Sequence, residues 1–136
     1  MCAVSNKTHY NEMNVLSMHA LIGAYQPQGY EWVDELNQVI QGNIAYFCDY
    51  VDEHFEGVSY SRPQGTYMVF LDCTEWCRDH GHDIQWLLDE GARVGVGYQD
   101  GRPFHGPCHI RVNLALPLSR VREACERLDR YVFNAR

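Results

Sequence analysis

The sequence predicts an α+β domain with one small, mostly antiparallel sheet packed with helices. Apolar residues recur at helical spacing up to about residue 55, form strand-like runs between residues 58 and 116, and return to helical spacing after Pro117. The length of 136 residues and the 46% of apolar residues are typical of one globular domain. We therefore expect a single domain over residues 1–136, with the polar residues 1–12 as a loosely ordered lead-in.

The first half of the chain is predicted to form two helices. Asn14 can cap a helix that ends near Tyr25, and the Gln-Pro-Gln-Gly segment at residues 26–29 is expected to break it. A longer helix follows from about Tyr30 to Phe55. Its predicted apolar face consists of Trp32, Val33, Leu36, Val39, Ile40, Ile44, Phe47, Val51 and Phe55.

Four strands are predicted in the second half. The second, at residues 67–71, is continuously apolar and is expected to be central and covered on both faces. The last has strict alternation and is expected to end before Pro117. The four predicted strands cover residues 58–61, 67–71, 93–99 and 109–116.

Short helices are predicted between and after these strands. Two of them, at residues 74–80 and 83–90, are expected to stop at Gly81 and Gly91. A final helix is predicted to be capped by Ser119. Its inward stripe would consist of Val121, Cys125, Leu128 and Val132.

Charge and hydropathy exclude several classes of partner. The formal net charge of -7 repels phosphate backbones, and the basic residues are interspersed with acidic ones, so nucleic acid is not an expected partner. No stretch approaches the ~20 consecutive apolar residues that cross a bilayer. We expect a cytoplasmic protein that does not bind membranes.

One strand presents an arginine on the face away from the predicted core. Alternation in residues 109–116 places Ile110 and Val112 on one face and Arg111 on the other. A guanidinium held on a rigid strand suits two-pronged binding of a carboxylate, for which arginine is better than lysine. A solvated arginine on an open sheet face remains the alternative interpretation of this pattern.

The cysteines and histidines are not expected to bind metal. The six cysteines are scattered through elements that carry an ordinary apolar core, so free thiols are predicted. Cys73, Cys77, His80 and His82 could supply four zinc ligands, but their spacing is not that of a zinc knuckle. We predict ordinary packing and surface roles for them.

Three segments resemble the C-terminal part of the class I/II aminotransferase family. They are NVLSMHALIGAY at residues 14–25, PQGTYMVFLD at 63–72 and GRPFHGPCHIRVNLA at 101–115. Within that family they are most similar to the cystathionine β-lyase (C-S lyase) branch, and the match runs in order from about His9 to Phe133.

The resemblance implies a cofactor, a fold and a role for Arg111. The family uses pyridoxal 5'-phosphate in the fold-type I architecture, with a large cofactor domain and a smaller C-terminal domain that closes on the substrate. This chain resembles that small domain. The arginine of the family's Arg-x-Asn-x-Ala strand binds the substrate α-carboxylate and matches Arg111.

The family's cofactor-binding groups lie upstream of the matching segment. Lys7 is the only lysine, and the residues after it lack the apolar, glycine-containing stretch that follows the family's cofactor lysine. We therefore expect no catalytic, cofactor-binding or metal-binding residue in this chain. The large domain would be absent from it, and the chain alone would be inactive.

The predicted parent activity is β-elimination from cystathionine or another S-substituted cysteine, giving a thiol, pyruvate and ammonia. The expected partners are the substrate carboxylate and the missing large domain, in a homodimeric parent. Two alternatives stay open: the small domain of an aminotransferase, and a non-catalytic module that binds a carboxylate or a partner protein.

Overall fold

The computed structural model describes residues 13–135, in two units. One unit runs up to Asn37 and the other begins at Gln38. The lead-in predicted for residues 1–12 lies outside the described residues, and the assignment of 1–136 to a single domain stays a prediction.

The first unit contains helix α1 (Val15–Ala24) and the start of helix α2 (Pro27–His54). The Asn14 side chain caps α1 as predicted, because its Oδ1 accepts from the Ser17 backbone N–H at 2.8 Å. The predicted break between the two helices is present but short, since α1 ends at Ala24 and α2 already begins at Pro27. Proline suits the first position of a helix, where no backbone N–H is required.

The predicted apolar face of α2 is buried only along its second half. Ile44, Phe47 and Val51 are buried in the second unit. Apolar side chains of α1 and of the first half of α2 are exposed, among them Val15, Leu16, Ile22, Tyr25, Trp32, Val33, Leu36 and Val39.

The second unit is built on a four-stranded antiparallel sheet, which confirms the predicted α+β fold class. Its strands are β1 (Ser59–Tyr60), β2 (Met68–Asp72), β3 (Gln99–Asp100) and β4 (His109–Asn113). Their order is β1-β2-β4-β3, so β2 is interior as predicted. The prediction that β2 is covered on both faces is wrong, because Met68, Phe70 and Asp72 are only half-buried.

Helices α3 (Thr74–His80), α4 (Ile84–Arg93) and α5 (Leu118–Leu128) complete the fold, with a π-helical turn at Asp129–Phe133. Gly81, with a φ of 68°, ends α3 as predicted. Gly91 does not end α4. It lies inside that helix, and a Cβ there would come 2.5 Å from the ring atom Cζ of Tyr98.

Three further boundaries differ from the predictions. The strand predicted at residues 93–99 is wrong except at Gln99, because α4 continues to Arg93 and a turn follows it, in which the Gly95 N–H donates to Ala92 O at 3.0 Å. Strand β4 ends early at Asn113, whose Oδ1 accepts from the Ala115 N–H at 2.8 Å. Ser119 is not a cap, since α5 already begins at Leu118.

The core of the second unit lies between the sheet and its helices. The stripe predicted for the last helix is confirmed, since Val121, Cys125, Leu128 and Val132 are all buried. Val69, Leu71, Ile110 and Val112 form the buried face of the sheet. The other face of β2 and β4 therefore stays accessible for ligand contacts.

Within residues 13–135, none of the helices combines the length and apolar character needed to cross a bilayer.

Candidate substrate-binding site

Arg111 lies at the centre of the accessible face of the sheet. Its register partners are Phe70 on β2 and Gln99 on β3. The alternation predicted along β4 is confirmed, because Ile110 and Val112 are buried while Arg111 is half-buried on the opposite face. Strand neighbours on both sides hold the backbone of Arg111 in place.

The Arg111 guanidinium makes an aromatic contact and no ion pair with residues 13–135. Its Cζ lies over the Phe104 ring, 3.9 Å from the centroid. No carboxylate of the described residues lies within 4.0 Å of it. Arg127, also half-buried, is paired with Glu123 through Nη2 at 2.5 Å. Arg111 therefore combines partial burial with N–H groups that can donate hydrogen bonds to an external carboxylate.

A cleft of about 370 Å³ opens beside Arg111. Backbone and side chains from three strand regions line it: Tyr67, Met68, Gly97, Tyr98, Gln99, Arg111 and Asn113. The volume lies within the range of small-molecule sites. The cleft therefore has the size and the cationic group that a small carboxylate requires.

Tyr98 forms a fixed part of the cleft wall. Its hydroxyl donates to the carbonyl oxygen of Leu87, and its ring packs against Gly91. Burial raises the pKa of Tyr98, so its phenol is neutral at physiological pH. Because that hydroxyl is already bonded to α4, Tyr98 shapes the cleft without adding charge.

An acidic group and an imidazole lie at the other end of the same face. The Nε2 of His109 is 3.7 Å from Oδ2 of Asp72, its register partner on β2. The Nδ1 of His109 is buried and has no hydrogen-bond partner among the described residues. The rings of His109 and Phe70 lie 4.6 Å apart, and Phe70 is also the register partner of Arg111.

The pKa of Asp72 lies below its usual value. Burial alone would raise that pKa, but hydrogen bonds from Thr74 and the charge of His109 together outweigh it. The Thr74 hydroxyl donates to Oδ1 at 2.5 Å and the Thr74 backbone N–H at 2.9 Å. Asp72 is thus an ionised carboxylate that is already satisfied by its own neighbours.

The loop before β4 folds back over the accessible face. Gly101 donates its N–H to His109 O at 2.8 Å, and Gly106 donates to Gly101 O at 3.1 Å. A Cβ at Gly106 would lie 2.5 Å from Cζ of Phe70 and 2.6 Å from Cβ of His109. Glycine at position 106 therefore allows the close approach that brings the loop onto the sheet.

The cysteine and histidine residues singled out earlier have packing roles. His80 stacks on Trp76 with ring centroids 4.4 Å apart, and His82 stacks on Trp86 at 3.8 Å. Burial raises the pKa of the Cys77 thiol to about 12. No three His, Cys, Asp or Glu side chains within residues 13–135 come together as metal ligands.

Three residues of the site were not predicted from sequence. Tyr98 and Gln99 were assigned to the strand predicted at residues 93–99, of which only Gln99 forms, and Phe104 was assigned to no element. The only sequence signal for Phe104 was its aromatic side chain in an otherwise polar turn between β3 and β4. That signal did not identify Arg111 as the residue it contacts.

The sequence matches a family model over most of its length. Residues 4–128 match the family described as aminotransferase class I and II. The chain belongs to the class I and II aminotransferase family. This confirms the resemblance seen in the three segments, and the family is pyridoxal 5'-phosphate-dependent.

Curated relatives of this aminotransferase-family chain include proteins described as lyases. It is 35% identical to a protein from Mycobacterium leprae described as "Putative cystathionine beta-lyase", over 79% of this chain and 30% of that protein. A relative from Mycobacterium tuberculosis with the same description is 31% identical, with the same coverage. The chain therefore spans about a third of the length of these relatives.

Solved structures show the same fold. The PLP-bound C-S lyase from Staphylococcus hominis has a TM-score of 0.79 at 21% identity, covering 93% of this chain and 33% of that chain. Cystalysin from Treponema denticola has a TM-score of 0.73 at 24% identity, covering 85% of this chain and 29% of that chain. An aspartate aminotransferase from Thermus thermophilus also reaches 0.79, at 19% identity, covering 96% and 34%.

The described residues of this family member do not fit covalent binding of the cofactor. The Schiff base needs a lysine amine, and residues 13–135 contain no lysine, since Lys7 lies outside them. Gly95 follows the end of α4 rather than preceding a helix, so it builds no phosphate-binding helix N-terminus. Among residues 13–135, Arg111 is therefore a candidate carboxylate-binding group, and no lysine is available for a Schiff base.

Proposed function

We propose that this chain is the C-terminal, substrate-closing domain of a PLP-dependent C-S lyase, and that Arg111 binds the substrate α-carboxylate. The parent reaction would be β-elimination from cystathionine or another S-substituted cysteine, giving a thiol, pyruvate and ammonia. One observation carries the proposal: a half-buried guanidinium without a carboxylate partner among residues 13–135 faces a cleft of about 370 Å³.

The chemistry of the site supports a carboxylate ligand. A guanidinium offers two parallel N–H donors that match the two oxygens of a carboxylate, and β4 holds its backbone between two neighbouring strands. Anchoring the carboxylate would fix the orientation of the amino acid relative to the remainder of the parent enzyme. Pyridoxal 5'-phosphate, when bound by that remainder, supplies an electron sink for the elimination.

Sequence relatives favour a lyase parent over an aminotransferase parent. The TM-score of 0.79 is the same for a C-S lyase and for an aspartate aminotransferase, so the fold is compatible with both reactions. The 35% identity to the protein described as a cystathionine β-lyase supports elimination. A full-length parent should release pyruvate and thiol from cystathionine, whereas exchange of the amino group with a keto acid would identify an aminotransferase.

A ligand titration of the chain tests the carboxylate site directly. NMR titration of the labelled chain with S-methyl-L-cysteine should shift the Nε–Hε resonance of Arg111 and the backbone amide resonances of β4, and the amide resonances measure the affinity of the variants. Arg111→Lys, which keeps the charge but loses the two-pronged geometry, should bind at least about 10-fold more weakly. The exposed Arg62→Lys is the matched control and should bind like the wild type. Equal affinity of Arg111→Lys and the wild type would reject the site.

The remaining parts of the proposal concern the whole parent protein. The chain alone should show no lyase turnover, because its described residues lack the cofactor lysine. Its main partner would be the large cofactor domain, in a cytoplasmic homodimer. Lyase turnover of the chain with added pyridoxal 5'-phosphate, together with a borohydride-reducible adduct on Lys7, would contradict this.

A further inference from the structure

We infer that Phe104 is a positioning residue that holds the Arg111 guanidinium ready for the substrate carboxylate. The Cζ of Arg111 lies 3.9 Å from the Phe104 ring centroid, well inside the range of cation–π contacts. The inference rests on the proposed function, since it assigns Arg111 to carboxylate binding. It adds a residue outside the strand motif, seven positions earlier in the sequence.

The loop between β3 and β4 fixes Phe104 over the arginine. A 3₁₀ turn at Arg102–Phe104 follows Gly101, whose carbonyl oxygen accepts from the Phe104 N–H at 2.9 Å. Arg102 stabilises this turn, because its Nε donates to Asp100 at 2.8 Å and its Nη2 donates to Gln85 at 3.0 Å. The ring is therefore presented by a bonded turn rather than by an unsupported loop.

The arrangement explains how a half-buried arginine stays in place without an acidic partner in the described residues. An ion pair would occupy guanidinium N–H donors and compete with the substrate carboxylate. An aromatic ring attracts the cation through its electron-rich face and accepts no strong hydrogen bond. The N–H donors of Arg111 therefore stay available for the ligand, while the ring restricts the guanidinium on one side.

The role depends on the aromatic face and not on apolar bulk. Phe104 is 47% exposed, so it contributes little to the core, and a leucine at this position keeps apolar contact but loses the cation–π attraction. Phe104→Leu should weaken binding of S-methyl-L-cysteine by about 2- to 10-fold. Phe104→Tyr keeps a ring at this position and should bind within about 2-fold of the wild type.

Tyr131 provides a matched control. It is 45% exposed, and the Cζ of Arg130 lies 5.3 Å from its ring centroid. Tyr131→Leu removes a comparable exposed aromatic beside an arginine and should leave binding unchanged.

The experiment is an NMR titration of the wild type and the three variants with S-methyl-L-cysteine, following the Arg111 Nε–Hε resonance. Without ligand, the Phe104 ring current should displace this resonance in the wild type and in Phe104→Tyr, and Phe104→Leu should abolish the displacement. Phe104→Leu binding as tightly as the wild type, or Phe104→Tyr binding as weakly as Phe104→Leu, would overturn the inference.

Failure of the proposed function gives a different result. In that case the ring-current displacement is present, but the wild type does not respond to S-methyl-L-cysteine. The contact between Phe104 and Arg111 would then stand as packing, and its assignment to substrate positioning would be rejected along with the carboxylate site.

Discussion

Asn43 on α2 is buried and donates its side-chain amide to the carbonyl of Leu114, with Nδ2 2.9 Å from the oxygen. The same Nδ2 donates to Leu116 O at 2.7 Å. Both carbonyls belong to residues that follow the end of β4 at Asn113, so they are outside the hydrogen-bond ladder of the sheet. The buried side-chain amide of Asn43 therefore provides hydrogen bonds to the backbone carbonyls just after the strand that carries Arg111.

Replacing Asn43 by alanine should destabilise the protein. Asn43→Ala removes both hydrogen bonds and leaves a buried carbonyl without a partner, which costs about 1–3 kcal/mol. Urea unfolding followed by circular dichroism measures the change. Gln41→Ala on the same helix is exposed and should change the free energy of unfolding by less than about 0.5 kcal/mol. An equal effect of the two substitutions would contradict the role of Asn43.

Substitution of Gly106 should displace the loop that carries Phe104. A Cβ at this position would come 2.5 Å from Cζ of Phe70, so Gly106→Ala should reduce the free energy of unfolding by about 1–3 kcal/mol. It should also remove the ring-current displacement of Arg111. The control is Gly65→Ala, where a Cβ would meet nothing within 4 Å. Thermal unfolding together with the Arg111 resonance separates a stable but displaced loop from general destabilisation.

Ionisation of Asp72 should make stability depend on pH in the acidic range. Its pKa is lower in the folded protein, although burial opposes the shift, so the unfolded state binds more protons as the pH falls. The contribution of Asp72 is therefore complete above about pH 5 and lost progressively as the pH falls through its folded pKa. The difference in unfolding free energy between the wild type and Asp72→Asn should shrink between about pH 5 and pH 3.

The exposed Asp49→Asn is the control for this pH series. The difference in unfolding free energy between the wild type and Asp49→Asn should not shrink over the same pH range. A constant difference between the wild type and Asp72→Asn across the acidic range would mean that the Thr74 hydrogen bonds do not stabilise the charged carboxylate.

The cysteines should differ strongly in reactivity. Burial raises the pKa of the Cys125 thiol to about 12 and raises the pKa values of Cys48 and Cys73, so these groups hold little thiolate. Cys108 is half-buried and more accessible. In a Cys2→Ser background, iodoacetamide at about pH 8 should label Cys108 at least about 10-fold faster than these three.

Peptide mass spectrometry identifies the labelled thiol. In denaturant the described cysteines should react at similar rates, which controls for intrinsic reactivity. Labelling of Cys73 or Cys125 as fast as Cys108 in the folded protein would show that the core opens at these positions.

Local patterns in the sequence were sufficient for much of the fold and for Arg111. Strict alternation in residues 110–114 identified which side chains of β4 are buried, because a strand directs successive residues to opposite faces. Helical spacing identified the buried stripe of α5 in the same way. Asn14 and Gly81 were correctly predicted as helix ends, because capping depends only on residues within one helical turn.

Where sequence reasoning was wrong, a specific side-chain contact that periodicity does not encode decided the result. Tyr98 packs on Gly91, and α4 continues past Gly91, where it was predicted to stop. The end of α4 at Arg93 therefore occupies the first residue of the strand predicted at residues 93–99. Asn113 shortened β4 through a side-chain bond to the Ala115 backbone, which competes with strand pairing.

The residue pattern alone determined the antiparallel α+β architecture and the face on which Arg111 lies, since both depend on periodicities of two and 3.6 residues. Only the tertiary structure decided that Phe104 covers the guanidinium and that Asn43 supports the end of β4. These pairs meet because the chain folds back on itself, and the close approach of the loop at Gly106 and the burial of an amide have no counterpart in local sequence periodicity.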